Sequence, residues 1–201
     1  MNSATNILQK RTRLSPEARR KQILDVAKKV IASDGLQKFS LKKLVAMAGI
    51  SEPLLFHYFS SGEDLLRQLL IREYDSYLDA IKNSLAKAIT LEEVCRVFVA
   101  RNYDHHDEDI VMDMLLAEPH IATAVEARQQ EHHKQRRKLL VNAVADDLGI
   151  KRKKAAMLVR MASASSIAAA QFAHDNNLGR EEAIATAMKF IQQGFQSHSA
   201  K

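Results

Sequence analysis

The 201 residues are 46% apolar with only six glycines and three prolines, so the chain can bury a core but has few places to turn. Its one cysteine, Cys95, excludes an internal disulfide. No apolar run approaches the length of a membrane span and no charged start leads into an apolar segment, so a cytoplasmic protein with no membrane partner is expected.

Charge is placed unevenly. Residues 1–62 carry 11 Lys and Arg against four acids, whereas residues 63–201 carry 19 against 20. A basic end on a neutral body suits a polyanion, although a merely solubilising surface would have the same composition. Residues 1–16 read as a flexible arm with Lys10, Arg11 and Arg13. Ser15-Pro16-Glu17 is a helix start: a capping serine, a proline in the first turn and an acid beside it. Ile23, Ala27, Val30 and Ile31 follow at helical spacing until Ser33-Asp34-Gly35. Ser40 caps a second, short helix with Leu41, Leu44, Val45 and Ala48 on its apolar face. Gly49 supplies a left-handed turn, and Ser51 caps a third helix that tolerates Pro53 in its first turn. Leu55, Phe56 and Phe59 are expected to anchor it inward. Ser60-Ser61-Gly62-Glu63 opens a fourth helix with Leu65, Leu66, Leu69 and Leu70.

Helical patterns then run over 63–87, 90–102, 107–116, 119–146, 152–175 and 180–194, with a polar connection over 104–109. The stretch 155–173 is rich in alanine and serine, and small side chains let another helix approach closely. Ile184, Ala187, Met188, Ile191 and Phe195 form a matching stripe on the last helix. Two such helices can pair with their own copies across a two-fold axis, through Ala164, Ala168, Phe172, Ile184, Met188 and Ile191; they can also simply pack within one chain.

Two short helices joined by a tight glycine turn form a helix-turn-helix, whose second helix enters the major groove of DNA. With Leu44, Val45, Leu55 and Phe59 turned inward, the outer side presents Lys42, Lys43, Glu52, Leu54, His57 and Tyr58. Leucine and tyrosine there can reach thymine methyls or deoxyribose. Glu52 can accept from cytosine N4 or can merely favour its helix N-terminus.

Residues 19–70 resemble the N-terminal domain of the TetR family of bacterial transcriptional repressors. The stretch ILDVAKKVIASDGLQKFSLKKLVAMAGIS followed by LLFHYFSSGEDLL carries the order and spacing. The resemblance implies an all-α fold: a three-helix DNA-binding domain over 17–62, then a larger helical effector-binding and dimerisation domain over 63–201. It also implies a homodimer on a palindromic operator of double-stranded DNA, released when a small-molecule effector enters the second domain. Carried over by position, DNA contacts fall to Lys42, Glu52, Pro53, Leu54, His57 and Tyr58, with Ser40 near the backbone. Many members hold lysine at the positions of Glu52 and Gly62; without the second, backbone affinity must lean on Lys42, Lys43, the arm and helix termini.

The C-terminal part offers Met112, Leu115, Leu116, Val125, Met157 and Met161 as walls of an effector pocket, with Arg128 or His132 as the polar handle. The same residues could be solid core. His105, His106, His132 and His133 lack the i,i+4 spacing of a metal helix, and no nucleophile–base spacing is present, so neither a metal, a cofactor nor an enzyme is expected. Two alternatives stand beside the repressor: a DNA-binding regulator without a small-molecule effector, and a helical adaptor whose basic surface meets an acidic protein.

Overall fold

The computed structural model describes residues 14–108 and 110–199, and its regular elements there are all helices. The chain divides into two compact units at Leu65 and Leu66. Most of the expected arm, residues 1–13, lies outside the described residues, and Pro16 already belongs to the first helix.

In the first unit, α1 (Pro16–Asp34) is followed by a short 3-10 turn (Leu36–Lys38), α2 (Leu41–Ala48) and α3 (Glu52–Tyr58). Each α-helix starts on a serine whose Oγ accepts a backbone N–H three residues on. Ser15 takes that of Ala18 at 3.1 Å, Ser40 that of Lys43 at 3.2 Å and Ser51 that of Leu54 at 3.4 Å. Gly49 closes α2 with φ 63°, and the next N–H, of Ile50, reaches back to the Val45 carbonyl at 3.1 Å. α1 packs on α2 and α2 on α3. Ile23, Ala27, Val30 and Ile31 are buried, as are Leu44, Leu55 and Phe59. Phe56 departs from expectation: it is 43% exposed. Leu55 and Phe59 are four residues apart and share a face, while Phe56 is turned about 100° from Leu55.

α4 (Gly62–Leu85) runs across the unit boundary and begins with a reciprocal cap. The Asp64 N–H donates to Ser61 Oγ at 3.0 Å, and the Asp64 carboxylate accepts the Ser60 N–H at 2.8 Å. The second unit continues with α5 (Leu91–Glu108), α6 (Ile110–Leu116), α7 (Pro119–Ala122), α8 (Glu126–Leu148), α9 (Arg152–Asp175) and α10 (Arg180–Gln196). α8 packs on α9, α9 on α10, and α5 against all three. Their shared core includes Val99, Val144, Leu158, Ile184, Met188 and Ile191.

Three expectations are corrected here. The connection expected over 104–109 is helical as far as Glu108. No glycine, proline or cap interrupts it, and Asp104 is tied to α10 by two hydrogen bonds from Arg180, at 2.6 and 2.7 Å. The single helix expected over 119–146 is broken at 123–125 into α7 and α8. There the Thr123 hydroxyl donates to the His120 carbonyl at 3.0 Å, the local bonding by which threonine competes with a helix ladder. Finally, Ile184, Met188 and Ile191, expected at a dimer interface, are buried in the core of this chain. The outward residue of α10 is Phe190, 67% exposed.

The left-handed backbone at Gly49 has a measurable consequence. No atom lies within 4 Å of where a Cβ would stand, so substitution costs only conformational energy. Gly49→Ala should lower stability by about 1–2 kcal/mol, read by urea unfolding, with the helical circular dichroism unchanged.

Candidate nucleic-acid interface and interior cavity

α2 and α3 present their polar residues differently from one another. Lys42 is exposed and holds no hydrogen bond or ion pair among the described residues. Lys43 is exposed too, but its ammonium is paired with the Asp34 carboxylate from the end of α1. That hydrogen bond, with a smaller one from Ser33, holds the Asp34 carboxyl below the usual carboxylate range. Sequence spacing gives no sign of the pair, because Asp34 and Lys43 belong to different elements.

On α3, Glu52, Pro53 and His57 are exposed, while Leu54 and Tyr58 are half-buried. The His57 and Tyr58 rings meet edge to face, centroids 5.2 Å apart. Phe56 adds an exposed aromatic beside them. Ser40 is exposed, its hydroxyl oxygen occupied by the cap. Arg20 of α1, unmarked in the sequence, donates to the Tyr58 carbonyl at 3.3 Å and stacks its guanidinium 5.1 Å from the centre of the Phe59 ring. A cation is thus held at the C-terminal end of α3, where the helix dipole favours it.

The second unit contains a cavity, though not where the sequence suggested. Met112, Leu115 and Val125 are buried and Leu116 half-buried, whereas Met157 and Met161 are 55% and 61% exposed. None of these six lines it. The cavity, with about 50 Å³ of space that a water-sized sphere can occupy, lies instead between α5, α8, α9 and α10. One end is polar, with Asn102, Arg136, Ser163 and Ser166; the other has Cys95, Val144, Val159, Ile191 and Phe195. Asn102 donates to Ser166 Oγ at 2.9 Å, satisfying a buried hydroxyl. Burial pushes the Cys95 thiol up to about 11, so it behaves as a wall rather than a nucleophile. Arg128 and His132 line a separate, more open groove between α4 and α8, which shares Phe98 and Arg136 with the cavity. Arg128 is already paired with Asp75 at 2.7 Å. Four helices from distant parts of the chain make the cavity, so no single-helix pattern announces it.

α9 also carries an outward row: Met157, Met161, Ala164, Ala168 and Phe172 are all exposed, Phe172 by 62%. Of the interface residues expected from the sequence, Ala164, Ala168 and Phe172 therefore lie at the surface. Among the described residues no group of three metal-binding side chains converges, and no helix is long and apolar enough to cross a membrane.

Residues 23–69, spanning the three helices of the first unit and the start of α4, match the model for bacterial regulatory proteins of the tetR family. These residues therefore form a DNA-binding domain of the tetR type. They carry the helix-turn-helix of that family of DNA-binding proteins. Among curated relatives, the chain is 25% identical over 111 residues to the fatty acid metabolism regulator protein of Bacillus subtilis, covering 54% of this chain and about half, 52%, of that one. It is 22% identical over 190 residues to the HTH-type transcriptional activator FasR of Mycolicibacterium smegmatis, covering 90% and 85%. Among solved structures, the fatty acid degradation regulator FadR of Bacillus halodurans superposes with a TM-score of 0.61 at 17% identity, over 89% and 96% of the two chains. At that identity the likeness is one of fold.

The contrast between the two lysines predicts different salt dependences. Lys42→Ala should flatten the slope of log affinity against log salt by about one for each phosphate it no longer neutralises. Lys43→Ala should change it less, because its pair with Asp34 must first be given up. Fluorescence anisotropy on a DNA duplex over a salt series checks both. Equal flattening would mean that Lys43 leaves Asp34 for phosphate.

Proposed function

We propose that the protein is a homodimeric repressor that binds a palindromic operator and is released by a small molecule. DNA reading is assigned to residues 17–62, effector binding and dimerisation to 63–201. The observation that carries the reading is the face of α2 and α3, where Lys42, Glu52, Leu54 and His57 remain accessible while the inner faces are consumed by the core. Lys42 positions the unit on phosphate; Glu52, Leu54, His57 and Tyr58 meet base edges and sugars, with Pro53 and Ser40 against the backbone. Cytoplasmic location follows from that work.

Dimerisation is assigned to the outer row of α9 with Phe190 of α10. Methionines and phenylalanines standing free on a helix surface mark a contact, and the alanines between them allow a second helix to come close. Two-fold pairing supplies two recognition helices for the two half-sites of a palindrome. The effector site is assigned to the cavity between α5, α8, α9 and α10. A second reading, activation, has its own support: the relative matched over 90% of this chain is named a transcriptional activator. A reporter driven by a promoter bearing the selected binding site separates the two, since expression of the protein lowers output in one case and raises it in the other.

Two outcomes test the proposal. Ala168→Glu buries an unpaired carboxylate in the α9 seam, costing several kcal/mol as an order of magnitude. Sedimentation at micromolar concentration should then show a folded monomer beside a wild-type dimer, and a monomeric wild type would sink both the interface and the palindrome. Selection from randomised half-sites, at one fixed salt concentration, should give Glu52→Ala a relaxed preference at one base pair per half-site with little loss of overall affinity. If the preferences of variant and wild type coincide, Glu52 serves only its helix.

A further inference from the structure

Arg136 is a half-buried cation with no counterion among the described residues. Its guanidinium lies 5.8 Å from the centre of the Phe98 ring and holds no hydrogen bond or ion pair among the described residues. A guanidinium drawn toward apolar surroundings is costly unless an anion joins it. It stands where the cavity meets the outer groove, so it can be reached from solvent. One helical turn earlier on α8, His132 has a buried Nδ1 without a partner. Burial, with the nearby Arg136 charge, lowers its pKa.

Beyond this mouth the cavity changes character. α8 runs from Arg136 to Val144 along it, eight residues or about 12 Å. Its far end is closed by Val144, Val159, Ile191 and Phe195, none of which offers a hydrogen bond. One charged end and one dry end, about 12 Å apart, define an amphiphile. A neutral head would leave Arg136 unpaired and a cationic head would be repelled. A phosphate would bring a second charge that a single guanidinium does not match, whereas a carboxylate pairs with it through two parallel hydrogen bonds.

We infer that this cavity binds a medium-chain alkyl carboxylate, its head on Arg136 and its tail pointing toward Phe195. The inference deepens the assignment of an effector site to the second unit and depends on that reading only for its regulatory meaning.

The test uses the full chain, without DNA, titrated calorimetrically with decanoate, decanol and decyltrimethylammonium. Decanoate should bind at least about tenfold tighter than decanol, the effect of one charge-assisted contact, and the cationic analogue should not bind. Arg136→Gln should abolish the preference for decanoate over decanol, and Arg136→Lys should restore part of it. Should the glutamine variant not fold by circular dichroism, the three wild-type titrations decide alone. Hexanoate and hexadecanoate should both bind more weakly than decanoate. Equal binding of decanol and decanoate, an unchanged preference in folded Arg136→Gln, or no heat with decanoate would each overturn the inference. Release of DNA is scored separately: decanoate that binds without releasing DNA leaves this inference standing and overturns the effector reading.

Discussion

Two helices of eight and seven residues are too short to stand alone in water, and the helix-turn-helix is made of nothing else. Everything in the first unit serves to hold them. α1 supplies the apolar face on which α2 lies, but it also closes the ends. Gln22 donates to the Ala48 carbonyl at the end of α2, at 3.3 Å, and Arg20 donates to the Tyr58 carbonyl at the end of α3. Serines close the opposite ends. With both termini satisfied, a short helix keeps most of its backbone bonds even though it has few to begin with.

The same economy limits the charge available for DNA. The first third of the chain looks uniformly basic, yet Lys43 is neutralised by Asp34 and Arg20 is drawn to the end of α3. Lys42 is the lysine that α2 leaves without an ion pair among the described residues. A count of basic residues therefore overstates the electrostatic footprint, because part of it is occupied in holding the scaffold.

Much of this was legible in the chain itself. Ser15, Ser40 and Ser51 cap as their positions require, Gly49 adopts the left-handed turn, and the order of helices follows from apolar spacing. Local chemistry made those features readable. Phe56 was misjudged because aromatic character outweighed its angle relative to Leu55 and Phe59. Ile184, Met188 and Ile191 were misassigned for a different reason: α9 is apolar on two faces, so periodicity could not say which face met α10. The cavity was illegible throughout. It depends on which side chains from four helices fail to fill a shared space, a property of no single segment.

That unfilled space has a cause in the same small residues that line the outside of α9. Ala155 and Ala170 on its inner face are buried and let neighbouring helices come near. Ala162 and Ser163 stand between them, opposite the larger Phe98, Ile191 and Phe195, and are too small to meet those side chains. A hollow results where spacing is set by large residues and filled by small ones. At the polar end of that hollow Asn102 satisfies Ser166, while Arg136 holds no hydrogen bond or ion pair among the described residues. The far end, lined by valine, isoleucine and phenylalanine, offers water no partners, and a space of that kind is filled favourably by an apolar group. Alanine on α9 thus has two effects, close approach on one side and vacancy on the other, and both arise from the absence of the same few methyl groups.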